Sequence, residues 1–146
     1  MISGSAESAE GNKPTILVAE DNIVNRLVIE HFLSAIACKV IYADNGQKAV
    51  DAFQSGNVDL ILMDVHMPTK DGIEATVEIR EIERQEKIPH TPIIAVTAYD
   101  DLKHRRRCNS SGMDGFIAKP LKVDNFISIV SLWLFGEREV IPLQTN

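Results

Sequence analysis

Features that would indicate several particular classes of protein are missing from this sequence. No apolar stretch approaches the roughly 20 residues that a helix needs to cross a bilayer, and the N-terminus lacks the basic and apolar regions of a signal peptide. Basic residues are also fewer than acidic ones: the chain has 15 lysines and arginines and 21 aspartates and glutamates, which gives a net charge of −6. This balance argues against a general nucleic-acid binder and against a protein that binds anionic membranes.

Ligands for soft metals are equally scarce. The only two cysteines, Cys38 and Cys108, lie far apart and form no CxxC motif. We therefore predict buried free thiols in a cytoplasmic protein, and neither a disulfide nor a thiolate metal site. His66 has no second histidine or cysteine at ligand spacing, so its ring is not a predicted metal ligand either.

The most informative stretch that is present runs from Asp59 to Pro68. Its apolar core, residues 60–63, is too short for a globular helix and has the pattern of a strand buried on both faces of a parallel sheet. The run stops at Asp64, and Pro68 prevents any extension of the strand. Ligands of open parallel sheets bind outside the carboxyl ends of the strands. Asp64 is therefore the first candidate for chemistry, the alternative being that it only caps the next turn.

The same alternation of short apolar runs and helical patterns continues along the chain. It predicts a three-layer α/β domain with a five-stranded parallel sheet and no second folded domain. Residues 1–13 are predicted to be a disordered lead, and residues 136–146 a flexible tail. The predicted strands cover residues 15–19, 40–43, 60–63, 93–96 and 115–118, and the predicted helices cover approximately residues 23–36, 46–55, 72–86, 100–111 and 123–134.

Polar side chains follow four of these strands, and parallel strands bring their carboxyl ends to one edge of the sheet. Three of them, Glu20, Asp21 and Asp64, are carboxylates, which repel one another unless a cation neutralises them. Oxygen-only ligation of this kind suits Mg²⁺. Lys119 and Thr97 at the neighbouring strand ends are suited to bind another anionic group. This combination is what phosphoryl transfer requires, with Asp64 as the nucleophile that forms an acyl phosphate.

Taken together, these motifs resemble the receiver domains of bacterial-type two-component response regulators. The resemblance covers approximately residues 14–135. The motif sequences are most similar to those of receivers of hybrid histidine kinases and phosphorelays. It implies a flavodoxin-like fold with strand order 2-1-3-4-5. The motifs that carry it are AEDN at 19–22, LMDVHMP around Asp64, DG at 71–72, VTA at 96–98 and FIAKP at 116–120.

The resemblance assigns roles to the acidic residues. It implies that Asp64 is the phosphorylated aspartate and that Mg²⁺ is the cofactor. Asp21 and Asp64 would hold the ion directly and Glu20 through water, and the backbone carbonyl of His66 would complete the site. Such a domain catalyses only its own phosphorylation and dephosphorylation.

The resemblance also assigns the groups that sense the phosphoryl group. Thr97 would hydrogen-bond to it, Lys119 would pair with it, and Phe116 occupies the position of the family's switch aromatic residue. Tyr99 is either part of this switch or a half-exposed packing residue. The implied partner is a histidine kinase or a histidine phosphotransfer domain docking on the first helix. Contact with nucleic acid or a membrane is not implied, and the location is cytoplasmic, either as a free protein or as part of a membrane-bound hybrid kinase.

Three other functions compete with this interpretation. A pseudo-receiver, an interaction module without chemistry, would not need the complete set of acids, threonine and lysine. A magnesium-dependent phosphatase of the haloacid-dehalogenase type needs a second aspartate at the position of His66. A flavodoxin-like nucleotide binder needs a phosphate loop where Glu20 and Asp21 stand. Separately, the basic run 104–107 resembles a basic patch, but Asp100 and Asp101 lie one turn before it, so an exposed helix face is predicted there.

Overall fold

Alternating strands and helices form the domain in the predicted order. The structure is a computed structural model that describes residues 13–99 and 101–136. The strands are β1 (Thr15–Ala19), β2 (Lys39–Ala43), β3 (Leu60–Asp64), β4 (Ile93–Thr97) and β5 (Gly115–Ala118). The helices are α1 (Ile23–Leu33), α2 (Gly46–Gln54), α3 (Gly72–Glu86), α4 (Leu102–Ser111) and α5 (Val123–Phe135).

All four strand pairings are parallel, and the strand order is β2-β1-β3-β4-β5. Both the predicted fold class and the order 2-1-3-4-5 are therefore confirmed. The register places Asp64 beside Val96 and Thr97 beside Ala118. The carboxyl ends of β1, β3, β4 and β5 consequently share one edge of the sheet, where the predicted site residues lie.

Two apolar clusters, one on each face of the sheet, hold the layers together. Successive side chains of a strand point to opposite faces, so Leu60 and Leu62 join one cluster while Ile61 and Met63 join the other. Helices α1 and α5 pack on the first face, and α2, α3 and α4 on the second. Every residue of β3 is buried, which explains why its sequence lacks the alternation of a half-exposed strand.

Side-chain caps determine where several helices begin. Asn22 accepts a hydrogen bond from the Asn25 amide at the start of α1. Asp71 and Glu74 form a reciprocal capping box at the start of α3. Asp101 accepts a hydrogen bond from the His104 amide, so α4 begins at Leu102 and not at the predicted residue 100.

The predicted helix at residues 23–36 is too long, because α1 ends at Leu33. Its apolar pattern is also wider than the buried face. Ile29 and Leu33 are buried, whereas Ile23, Val24 and Leu27 are more than half exposed. Helix α5 is likewise buried on one side only, since Phe126 and Val130 are buried while Val123 and Trp133 are exposed.

Several predictions about the rest of the chain have different outcomes. Both cysteines are free as predicted, but only Cys108 is fully buried, and Cys38 is partly exposed.

Among the described residues, no helix has both the length and the apolar character required to cross a bilayer. The predicted disordered lead and flexible tail fall on residues 1–13 and 136–146, of which all but Lys13 and Gly136 lie outside the described part. The domain limits 14–135 stay a prediction.

Candidate functional site

Asp64 lies at the last position of the central strand, with its side chain almost completely buried. The first residue of α3, Gly72, packs directly against it. A Cβ atom at Gly72 would lie 2.2 Å from the Asp64 backbone oxygen, so only glycine permits this approach. The Gly72 amide also donates a hydrogen bond of 2.8 Å to the Val65 carbonyl. The strand end and the helix start therefore fix the backbone around Asp64.

Two further carboxylates converge on Asp64 from the end of β1. Glu20, Asp21 and Asp64 each offer one carboxylate oxygen, and these three atoms lie within 4.8 Å of one another. Glu20 is buried, and its Oε2 accepts hydrogen bonds from the Asn22 amide at 3.2 Å and the Asn25 side chain at 3.4 Å. Asp21 is exposed, which leaves one side of the cluster open to solvent.

Lys119 is the cation that faces this cluster. Its Nζ lies 3.0 Å from Glu20 Oε1 and 3.6 Å from Asp64 Oδ1. One lysine does not balance three carboxylates. Burial, and then the negative charge of Glu20, raise the pKa of Asp64 to about 7, even though Lys119 acts in the opposite direction. The site therefore carries uncompensated negative charge around a buried carboxyl group.

This donor set fits a hard divalent cation. All the ligand atoms are oxygens, one carboxylate is accessible from solvent, and a bound cation would oppose the two largest causes that raise the pKa of Asp64, which are burial and the charge of Glu20. Mg²⁺ is commonly held by one or two carboxylates while it keeps several waters. Within the described residues this is the only cluster of three or more histidine, cysteine or acidic side chains at metal-binding distance. The ring of His66 does not belong to it.

Thr97 ends β4 next to Asp64 and is buried. Its Oγ1 accepts a hydrogen bond of 3.2 Å from the Tyr99 amide, and that hydroxyl still has a proton to donate. The Tyr99 side chain is 55% exposed, and its ring lies edge-on to His66 at 4.7 Å. Either role considered for Tyr99 is compatible with this position, so both stay predictions.

A histidine that sequence analysis assigned to an exposed face is in fact buried beside the site. His104 is 7% exposed, stacks on the His66 ring at 5.9 Å and contacts Phe116 edge-on at 6.4 Å. Burial is the largest effect lowering the pKa of His104, which favours the neutral ring. The prediction of an exposed 104–107 face is therefore wrong for His104 and right for the three arginines that follow it. The sequence did contain a signal for this burial: His104 lies four residues before Cys108, which is buried on the same face of α4.

Comparison with known proteins identifies the family. The response regulator receiver domain model matches residues 16–131. The sensor histidine kinase GacS of Pseudomonas protegens is 35% identical over 127 residues, which cover 87% of this chain but only 14% of that kinase. The chain thus spans a small part of this relative.

Solved structures of similar shape include two receiver domains. The receiver of the Saccharomyces cerevisiae response regulator Ssk1, crystallised with the histidine phosphotransfer protein Ypd1, has a TM-score of 0.79 and 30% identity, covering 84% of this chain and 89% of that one. The receiver of sensor histidine kinase PA1611 from Pseudomonas aeruginosa has a TM-score of 0.74 and 37% identity, covering 84% of this chain and 98% of that one. A magnesium ion is coordinated in the active site cleft of PA1611.

Proposed function

Since this chain belongs to the response regulator receiver domain family, we propose that it accepts a phosphoryl group on Asp64 from a phosphohistidine, with Mg²⁺ bound by the acidic cluster. The observation that carries the proposal is the convergence of Asp64 with Glu20, Asp21 and Lys119 at one edge of the sheet. A pseudo-receiver, which has no phosphoryl chemistry, would not need the complete set of acidic residues, threonine and lysine. A dehalogenase-type phosphatase is disfavoured because His66 stands where its second aspartate is needed.

The chemistry follows from the positions of these side chains. An Asp64 oxygen attacks the phosphorus atom, the bond from phosphorus to the histidine nitrogen breaks, and the electron pair leaves with the imidazole. Lys119 is close enough to pair with the transferred group, and the Thr97 hydroxyl can donate a hydrogen bond to it. Glu20, Asp21 and Asp64 would hold Mg²⁺, which would neutralise negative charge during the transfer. Hydrolysis by water at phosphorus then regenerates Asp64.

Acetyl phosphate tests this proposal without requiring the physiological donor. With Mg²⁺ present, we expect intact-mass measurement to detect one added phosphoryl group, and peptide mapping of the borohydride-reduced protein to locate it at Asp64. Chelation of Mg²⁺ or the substitution Asp64→Asn should abolish the addition. Asp21→Ala should slow it by at least about tenfold, because a direct ligand is lost.

Asp44→Asn is the matched control, since Asp44 is an exposed carboxylate whose partner is Lys48. This variant should be phosphorylated as fast as the parent. Phosphoryl label persisting on the Asp64→Asn protein would contradict the assignment of the nucleophile. Equal labelling with and without Mg²⁺ would contradict the role of the acidic cluster.

Helix α1 is the surface we propose for a histidine phosphotransfer partner. Ile23, Val24 and Leu27 are exposed by 58%, 63% and 57% and lie within one helical turn of each other. An exposed apolar patch of this kind next to a reactive site is typical of a protein interface. The similar receiver of Ssk1 was crystallised with the histidine phosphotransfer protein Ypd1, which supports this class of partner.

We further propose that phosphorylation is detected through Thr97 and Phe116. A hydrogen bond from Thr97 to the phosphoryl group would draw Thr97 inward and free space beside it, and the Phe116 ring would turn into that space. We expect the phosphoryl mimic beryllofluoride, added with Mg²⁺, to shift backbone amide resonances in α4 and β5 much more than those in α1. Asp64→Asn is the control and should show no such shifts. Shifts restricted to the loops around Asp21 and His66 would contradict the switch.

A further inference from the structure

A groove between helices α3 and α4 is not used by the phosphorylation site. It has a volume of about 470 Å³. Ile73 and Val77, four residues apart on α3, form its apolar floor, and Val77 is 52% exposed. The α4 side is lined by three cations and two hydroxyls: Lys103, Arg106, Arg107, Ser110 and Ser111.

The three cations on this side form a concentrated positive patch on an acidic protein. Lys103, Arg106 and Arg107 are all exposed and follow the spacing of one helical face. None of them forms an ion pair with a carboxylate in the described parts of the chain. Exposed cations elsewhere do have such partners, as Lys48 and Arg84 show. The patch therefore has positive charge available to bind an anionic ligand.

A hydrogen-bond network holds the two helices together beyond the far end of the groove. Arg80, one turn beyond Val77 on α3, donates hydrogen bonds to the Gly112 carbonyl and to Asp114, at 2.9 and 2.8 Å. It also contacts Glu83 at 2.8 Å and the Thr91 carbonyl at 2.9 Å. This network joins α3 to the C-terminal end of α4. The groove is consequently a preformed feature, and ligand binding does not have to order it.

At its other end the groove adjoins a second cavity. Lys103 and Arg107 line both this groove and the second cavity, of about 300 Å³, that reaches His66, Tyr99 and His104. The groove therefore lies beside the cavity that His66 and Tyr99 line, and its own lining is the part that we consider for a ligand.

We propose that the groove between α3 and α4 binds an acidic peptide segment of a partner protein, with an aliphatic side chain of that segment resting on Ile73 and Val77. Charge complementarity identifies the occupant as anionic, and the apolar floor requires a side chain that nucleic acid does not have. The groove lining contains no aromatic ring on which a base can stack. A second copy of this chain is disfavoured, because each copy carries a net charge of −6.

A fluorescein-labelled peptide of about ten residues, built from glutamates around two leucines, is the probe. We expect it to bind with a Kd on the order of 100 µM at low salt and more weakly as salt increases. The double variant Lys103→Glu with Arg106→Glu should weaken binding by about tenfold or more, since two attractions become repulsions. Val77→Ser should weaken it by a smaller factor, and Lys48→Glu, a matched charge reversal outside the groove, by less than about twofold.

Two comparison peptides separate the contributions of charge and apolar contact. Replacing the glutamates by glutamines, or the leucines by serines, should each weaken binding. Equal binding of either peptide would overturn the proposal, as would equal effects of the Lys48 and groove variants. Tighter binding of a single-stranded oligonucleotide to the same patch would overturn it in favour of nucleic acid. Groove-dependent dimerisation in light scattering would overturn it in favour of a second copy.

This proposal does not depend on phosphorylation. The peptide should bind the Asp64→Asn protein as tightly as the parent, so a failure of the phosphoacceptor proposal would leave this test intact. Thermal unfolding of each variant establishes that it is folded. Because Lys48, Val77, Lys103 and Arg106 are exposed, the melting temperatures of the groove variants and of the Lys48→Glu control should remain close to that of the parent.

Discussion

In metal-free buffer at pH 8, the Asp64→Asn protein is expected to unfold at a temperature at least about 5 °C higher than the parent. Asparagine has the shape of the protonated aspartate but cannot ionise. The parent must hold a charged, buried Asp64 beside Glu20, and burial and Glu20 are the two largest causes that raise the pKa of Asp64 to about 7. Substitution of the proposed phosphoacceptor should therefore abolish phosphorylation and increase stability together.

The dependence of this stability gain on pH provides a sharper test. The pKa of Asp64 is higher in the folded protein than the usual 3.8, so the folded state binds a proton more tightly than the unfolded chain. The penalty from Asp64 is absent well below pH 4, develops as the pH rises from about 4 to 7, and is complete above about 7. The difference between variant and parent should follow this curve. A gain that does not change between pH 4 and pH 8 would contradict the electrostatic explanation.

Asp59→Asn serves as the control at the opposite end of the same strand. Asp59 is exposed and accepts a hydrogen bond of 2.8 Å from the Thr15 amide. Neutralising it removes one charge of the same kind without relieving any buried repulsion. We expect this variant to be no more stable than the parent at pH 8. Saturating Mg²⁺ should also remove the advantage of Asp64→Asn, because the ion stabilises only the protein that retains its ligand.

The hydrophobic pattern of the strands allowed the sheet and much of the site to be predicted, because that pattern depends on local burial. The fully apolar run at 60–63 identified a strand buried on both faces, and its last residue, Asp64, lies at the carboxyl edge as expected. Once the strands are parallel, topology alone brings Glu20 and Lys119 together across 99 residues of sequence. Composition and periodicity do not provide the distances at this edge, and these depend on the complete packing of the sheet.

The errors occurred where the helical pattern of apolar and polar residues does not separate buried from exposed positions. Ile23, Val24 and Leu27 belong to the helical spacing that predicts the first helix, but only the part of α1 that includes Ile29 and Leu33 faces the sheet. Hydrophobic spacing does not distinguish a buried stripe from an exposed apolar patch. His104 was misassigned for the opposite reason, because its polar and basic neighbours hide its position above His66 and Phe116.

Lys119→Met is expected to have the opposite effect on stability from Asp64→Asn. Removing the lysine leaves Glu20 and Asp64 buried without the cation that lies 3.0 and 3.6 Å from their oxygens. Breaking a buried ion pair by removal of one partner costs roughly 3 kcal/mol or more in the free energy of unfolding. We expect a loss of this order in urea denaturation at pH 8 without metal. Lys70→Met, which removes a more exposed lysine paired with Glu78, should cost much less.

The double variant decides whether this loss comes from the carboxylates or from the lysine's own packing. If uncompensated charge is the cause, adding Asp64→Asn to Lys119→Met should restore a large part of the lost stability, and the two substitutions should be clearly non-additive. Mg²⁺ should restore part of it in the single Lys119→Met variant, because the ion and the lysine neutralise the same three carboxylates. Simple additivity, together with no response to Mg²⁺, would mean that Lys119 stabilises the fold through its aliphatic contacts and not through its charge.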